Sequence, residues 1–310
     1  MTSIITITFS PCIDKSTSVH SLIPEKKLKC SAPKLEPGGG GINVARAIKK
    51  LGGEAIAIFP SGGYTGKFLN HLIEKENIPS IIVETANETR ENIIVVDQST
   101  NNQYRFGMPG TTLTESEWLH CVKAVEEACN GGYLVASGSL PPGVPPDIYS
   151  RLAKIAHNKN SKFIVDASGD ALKYAIKEGV YLLKPNLGEL SSLAGLKWID
   201  ADKAEEIARH LIEKFHCEII VVSMGADGAM LVTAKDSFRI KTPKVERKST
   251  VGAGDSMVAG IIYSLANGKN LQQALQYGVA CGTAATLNPG TELCKKDDAD
   301  RLYLQINQSA

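Results

Sequence analysis

Short apolar runs that alternate with helical patterns constrain this chain more than any other feature. Strand-like runs occupy 3–10, 54–60, 79–84, 132–137, 162–166, 180–184 and 218–223 and are rich in β-branched residues. Helical patterns fill 64–77, 114–129, 146–158, 170–178, 186–194 and 201–215, then 257–267, 271–288 and 295–306. A strand followed by a helix and another strand implies a parallel pair, because a parallel connection must cross back over the sheet. The fold class expected is therefore α/β, with a mainly parallel central sheet and helices on both faces. No internal repeat, low-complexity segment or Pro/Gly/Ser-rich linker divides the chain, so one domain over 1–310 is expected.

Charge is balanced, with 34 basic and 33 acidic residues and a net charge of +1. Bulk electrostatics therefore gives no reason to expect a nucleic-acid or membrane partner. The seven cysteines are scattered and contain no CxxC, which suits reduced thiols in the cytoplasm rather than a disulfide framework or a zinc site. No apolar run approaches membrane-spanning length, and Met1 leads directly into a strand rather than a secretory signal.

The stretch Thr250-Val251-Gly252-Ala253-Gly254-Asp255-Ser256 precedes a helical pattern. Small residues at a helix start expose orphan N–H groups at the positive end of the dipole, which makes an anion site. Asp255 there is either an N-terminal cap or a general base that deprotonates a hydroxyl attacking phosphorus. Gly38, Gly39, Gly40 and Gly41 run into a helical pattern and form a flat backbone. They are not a phosphate-binding Walker loop, since no Lys-Ser/Thr follows, and their offsets do not fit a dinucleotide fingerprint. Asn43 behind them is either a cap or a ligand. Asp14, Ser139 and Asp166 each follow a strand-like run, where open α/β sheets place ligands, although turn residues also collect there. Asn186 and Glu189 read equally as a capping box or as a water-mediated magnesium site, with Lys184 within reach of a phosphate. Ser223, Gly225 and Gly228 lie in a tight turn between strands. Ala280, Gly282 and Ala284 leave room either for a flat base or for close helix packing.

These motifs together resemble the ribokinase-like, or PfkB, family of sugar kinases. Thr250–Ser256 resembles its C-terminal signature, Gly38–Ala45 its N-terminal signature, and Lys184–Glu189 its N-x-x-E motif. Within the family, Glu36–Ile48, Ser137–Val144 and Ser249–Met257 resemble the minor-isozyme type of bacterial 6-phosphofructokinase most closely. The resemblance implies ATP-dependent phosphorylation of a sugar phosphate, foremost fructose-6-phosphate, with 1-phosphofructokinase or tagatose-6-phosphate kinase as the alternative and a catalytically silent sensor as the rival. Relatives of the alternative type usually carry lysine where this chain has Gly40.

The same resemblance implies a small β-lid from about 12–36 and 90–107 that closes over the sugar and joins a homodimer; the residues 15–36 themselves read as a mobile surface hairpin. Asp14, Lys27, the Gly38–Gly41 run, Asn43, Arg90, Arg105 and Ser139 are the implied sugar-phosphate ligands. Gly252, Ala253 and Gly254 form the anion hole beside the base Asp255. Lys184, Asn186, Ser223, Gly225, Gly228, Ala280 and Ala284 are the implied ATP ligands. Magnesium is implied at Asp166, Asn186 and Glu189 through water, and potassium at Ser249, Val251, Asn288 and Gly290.

Overall fold

The computed structural model describes residues 2–308; Met1, Ser309 and Ala310, at the ends of the expected 1–310 span, lie outside them. In chain order the elements are β1 (Ile4–Ile7), β2 (Cys12–Val19), β3 (Lys34–Gly38), α1 (Gly40–Lys50), β4 (Ile56–Gly62), α2 (Gly63–Lys75), β5 (Ser80–Thr85), β6 (Arg90–Asp97) and β7 (Asn102–Phe106). There follow α3 (Glu115–Ala128), β8 (Gly132–Ser137), α4 (Ile148–Asn158), β9 (Ser161–Asp166), α5 (Gly169–Glu178), β10 (Leu182–Leu183), α6 (Leu187–Leu193), α7 (Ala204–Phe215) and β11 (Ile219–Ser223). The chain closes with β12 (Ala229–Val232), β13 (Ser237–Ile240), α8 (Ala253–Ala266), α9 (Leu271–Thr286) and α10 (Lys296–Gln308).

A nine-stranded sheet has the order β13-β12-β11-β10-β9-β8-β1-β4-β5. Among the described residues only β12 runs against the rest, because the β11–β12 and β12–β13 pairs are antiparallel and all others parallel. Successive strand residues point to opposite faces, and each face has its own core. Val135, Ile164 and Val221 pack with α1, α8 and α9 on one side. Leu134, Val165 and Ile220 pack with α3, α4, α5 and α7 on the other. Truncating Ile164, Leu134 or Ile220 to alanine costs ~2–5 kcal/mol. Capping boxes at Thr114, Asn186 and Asn270 start α3, α6 and α9.

The second sheet has the order β3-β2-β6-β7, with β2 and β6 parallel and the outer pairs antiparallel. Its strands come from 12–38 and 90–106, so this is where the expected hairpin at 15–36 falls: β2 and β3 pair antiparallel across a long, largely exposed connection. Three boundaries shift in ways that matter. The first strand ends at Ile7 and a new one opens at Cys12, so Asp14 is a strand residue and not a turn residue. The expected helix at 201–215 divides into a 3-10 turn and α7. The helix expected from 257 begins at Ala253, which puts Asp255 inside its first turn.

Candidate active site

The strands β1, β8, β9, β10 and β11 all end at one edge of the large sheet. Chain order reverses at β1, which lies between β8 and β4, and such a switch point opens a crevice beyond the strand ends. The helix α1 closes that crevice tightly. The N–H of Ile42 donates to Thr8 Oγ1 at 2.9 Å, docking the helix start on the end of β1. A Cβ on Gly40 would lie 2.3 Å from Ser137 Oγ and 2.7 Å from the Gly138 nitrogen, so no side chain fits there.

Two cavities flank the start of α8. One, of about 280 Å3, is lined by Asp14, Gly40, Asn43, Arg90, Arg105 and Val251. The other, of about 830 Å3, is lined by Ser223, Gly225, Thr250, Gly254, Gly282 and Thr283, among others. Gly252 is the N-cap with φ 74°, a left-handed conformation that favours glycine, and it turns the chain into the helix between the two cavities.

Asp255 is the third residue of α8 and makes no side-chain cap, so the capping alternative fails. Its carboxylate instead accepts a hydrogen bond from Asn43 Nδ2 at 2.9 Å. Burial pushes its pKa up from 3.8 to about 6, and the nearby charge of Asp166 adds to the rise; Asn43 and Lys184 pull it back, and Asp14 opposes them. Such a carboxyl is ionised at neutral pH yet basic enough to accept a proton. The first-turn N–H groups beside it are the orphans of a helix start, though that of Ala253 also meets the Thr250 carbonyl at 3.5 Å.

In the smaller cavity Asp14 is held by neighbours. Asn92 Nδ2 donates to Asp14 Oδ1 at 3.0 Å and Cys12 Sγ does so at 3.3 Å, which leaves Oδ2 over Gly38. Burial and the Asp14 charge hold the Cys12 thiol well above its ordinary pKa. Arg90 donates to the Met108 and Ser10 carbonyls at 2.8 and 3.1 Å, and among the described residues its buried Nε has no partner. Arg105 Nη2 donates to Thr250 Oγ1 at 2.6 Å, so the small sheet touches the loop before α8 directly.

Lys184 is 6% exposed and pairs with Asp166 at 3.0 Å. Burial alone would lower its pKa, but the Asp166, Glu189 and Asp255 charges hold it above the ordinary value. Its Nζ is 3.7 Å from where a Cβ on Gly254 would stand. Asn186 and Glu189 form a complete capping box at 2.9 Å in both directions. Among the described residues no three His, Cys, Asp or Glu side chains group to hold a metal. Ser249 Oγ donates to the Gly290 carbonyl at 2.7 Å, and Asn288 is buried with its amide on the Ala284 and Leu293 carbonyls; the loops carrying Ser249, Val251, Asn288 and Gly290 are thus pinned together.

Several expected site residues line neither cavity, Asp255 and Lys184 among them. Lys27 lies in the exposed 20–33 connection and lines neither cavity. Ser139 is exposed one step past the Gly40 contact and also lines neither. Gly38 and Gly41 are packed beneath the cavity against Asp14 and Ile7, leaving Gly39 and Gly40 on its wall. Ala280 and Ala284 are corrected outright: both are fully buried in the core, and the same helix turns Val279, Gly282, Thr283 and Thr286 to the cavity. Gly228 is a hairpin residue whose Cβ would fall 1.9 Å from the Ile240 carbonyl oxygen, so backbone packing explains it. Sequence reasoning missed the irregular stretch at Thr242, Lys244 and Arg247, which walls the larger cavity without any periodic pattern. It also missed Arg46, a charge in the middle of an apolar helix face, which was itself the available signal.

All seven cysteines are free, and only Cys30 is exposed. Among the described residues no helix is long and apolar enough to cross a membrane. The sequence profile of the pfkB family carbohydrate kinases matches residues 5–298. The chain is 43% identical to the ATP-dependent 6-phosphofructokinase isozyme 2 of Escherichia coli (strain K12), covering 99% of this chain and 100% of that one. Two crystal structures of the Escherichia coli phosphofructokinase-2 superpose closely. The complex with potassium has a TM-score of 0.95 at 43% identity, and the complex with fructose-6-phosphate has 0.94 at 41%; each covers 99% of this chain and 100% of the other.

Proposed function

The chain belongs to the pfkB family of carbohydrate kinases, and from that premise we propose that it transfers the γ-phosphoryl group of ATP to fructose-6-phosphate, yielding fructose-1,6-bisphosphate and ADP. The observation that carries this reading is Asp255, a carboxylate with its pKa raised to about 6 in the first turn of a helix whose start lies between a smaller cavity, carrying Asp14, Asn43, Arg90 and Arg105, and a larger one. The smaller cavity takes the sugar phosphate. Asp14 accepts from ring hydroxyls, and Arg90, whose buried Nε has no hydrogen-bond partner among the described residues, anchors the phosphate together with Arg105. The larger cavity takes ATP between the Ser223–Gly225 turn and α9.

Asp255 removes the proton of the sugar's primary hydroxyl as its oxygen attacks the γ-phosphorus. The P–O bond to the β-phosphate breaks and ADP leaves, while the N–H groups of Gly252–Gly254 stabilise the equatorial oxygens. Lys184, held in place by Asp166, neutralises charge along the phosphates. Asp166, Asn186 and Glu189 would hold a hydrated magnesium ion, and a sparse set of two carboxylates and an amide suits an ion that keeps most of its water. When bound, magnesium neutralises phosphate charge and aligns the transferring group. The pinned loops at Ser249, Val251, Asn288 and Gly290 offer neutral oxygens of the kind that suit potassium.

The small sheet acts as the lid, with exposed Tyr104 and Phe106 as the face on which a homodimer forms in the cytoplasm; light scattering of the purified protein tests the dimer. Lid closure excludes water that competes for the phosphoryl group. The reaction is tested by coupled ADP release with MgATP and a panel of fructose-6-phosphate, fructose-1-phosphate, tagatose-6-phosphate, fructose and ribose. The highest kcat/KM is expected for fructose-6-phosphate. A preference for another phosphorylated sugar keeps the mechanism and overturns the substrate; a preference for a free sugar overturns the role of Arg90.

A further inference from the structure

Arg46 lies on α1 between the lid and the base, 1% exposed, and touches neither cavity. A guanidinium so deep must be held by partners, since an unpaired buried charge is strongly destabilising. Its Nε and Nη2 form a fork on Glu76, at 2.8 and 2.6 Å, at the end of α2. Nη2 also reaches Glu36 at 3.4 Å, and Nη1 donates to the Pro37 carbonyl at 2.7 Å; both belong to lid strand β3. Glu36 in turn accepts from Thr291 Oγ1 at 2.7 Å, on the loop that follows α9. Lys34 extends the chain of charges to Glu292 at 2.6 Å. Two segments outside α1 therefore meet on one side chain, and the loop after α9 joins them through Glu36.

The remaining contact matters for chemistry. Arg46 Nη1 stands 3.4 Å from Asn43 Oδ1, one helical turn away. That distance is long for a strong hydrogen bond, but a guanidinium carries donors only. It therefore selects which end of the amide faces it. With Oδ1 turned to Arg46, Nδ2 is turned to Asp255 and donates at 2.9 Å. The opposite orientation would set an amide oxygen against a carboxylate oxygen.

We propose that Arg46 is a positioning residue for phosphoryl transfer: anchored by Glu76 and Glu36, it fixes the orientation of the Asn43 amide and through it aims the Asp255 carboxylate, tying that aim to the root of the lid. The inference rests on the reading of Asp255 as the base. The groups that face Asp255 are Asn43 from α1, Asp166 and Lys184 from the ends of β9 and β10, and Asp14 and Cys12 from β2. Of these only Asn43 is in contact with Arg46.

The test is the pH profile of kcat/KM for fructose-6-phosphate. Arg46→Met alone would strand the buried Glu36 carboxylate, so the variants are Arg46→Met/Glu36→Gln and Arg46→Lys, compared with Asn43→Leu. Arg46→Lys keeps the charge beside Glu36 and Glu76, but one ammonium cannot span Glu76, Pro37 and Asn43 together. In all three the acid limb is expected to rise by about one pH unit, a roughly tenfold loss of kcat/KM at acid pH. Little change in KM for ATP is expected. Adding Asn43→Leu to Arg46→Lys should move the limb no further, because both act through one amide. An unmoved limb in Arg46→Lys, with Asn43→Leu shifted, overturns the positioning role and leaves Arg46 as packing. An unmoved limb in Asn43→Leu together with an active Asp255→Asn overturns instead the reading of Asp255.

Discussion

Replacing Asp255 by asparagine should damage catalysis and strengthen the fold at once. The side chain is isosteric, and Asn43 Nδ2 still finds an oxygen to donate to. What disappears is the charge. The carboxyl is raised from 3.8 to about 6, so the folded state disfavours its ionised form by roughly 3 kcal/mol. The sign follows from linkage. An acid whose folded pKa exceeds its unfolded value costs nothing below pH 3.8; the cost grows as pH rises and is complete above about pH 6. Asp255→Asn should therefore unfold later than the parent at pH 7.5, by up to roughly 3 kcal/mol, with the advantage shrinking towards pH 4.5. Turnover should fall by roughly 10²–10⁴-fold, the usual worth of a general base, with ATP binding retained. Thermal melting at the two pH values and steady-state ADP release measure both effects. Near-normal turnover would refute the base, and a variant less stable than the parent at pH 7.5 would refute the electrostatic account.

Because the base must be ionised, kcat/KM of the parent should fall as pH drops through about 6. Arg90→Ala should raise KM for the sugar phosphate more than tenfold and KM for ATP little; equal rises in a kinetic titration of both substrates would make Arg90 structural instead. Gly40→Lys places a Cβ 2.3 Å from Ser137 Oγ, so it should lower melting temperature and abolish use of fructose-6-phosphate without creating use of tagatose-6-phosphate; normal kinetics would show that α1 can shift. Exchanging potassium for tetramethylammonium should lower kcat, and Ser249→Ala, which unpins Gly290, should raise the potassium concentration needed for half-activation; cation-independent turnover would remove potassium from the site.

The parallel core was legible because buried strands and amphipathic helices impose their own residue patterns, and those patterns are local. The glycine runs and Asp255 were legible for a related reason: close backbone approach and an open helix start demand particular residue types within a few positions. What the sequence by itself determined was therefore the α/β class, the sheet edge where the candidate site lies, and the residue proposed as the base. Only the tertiary structure decided which neighbours act on that base. Asn43 and Asp255 are 212 positions apart, and Thr291 reaches Glu36 across 255. It also decided that α9 turns Gly282 rather than Ala280 and Ala284 to the larger cavity, since three small residues on one helix do not announce which face meets the core. Lys27 and Ser139 were expected as ligands from the resemblance, and their exposure is likewise a product of packing that the sequence does not display. The pKa of Asp255 belongs to the same class of fact. It arises from burial and from Asp166, Lys184 and Asp14, and those charges come together only when distant strand ends share one edge.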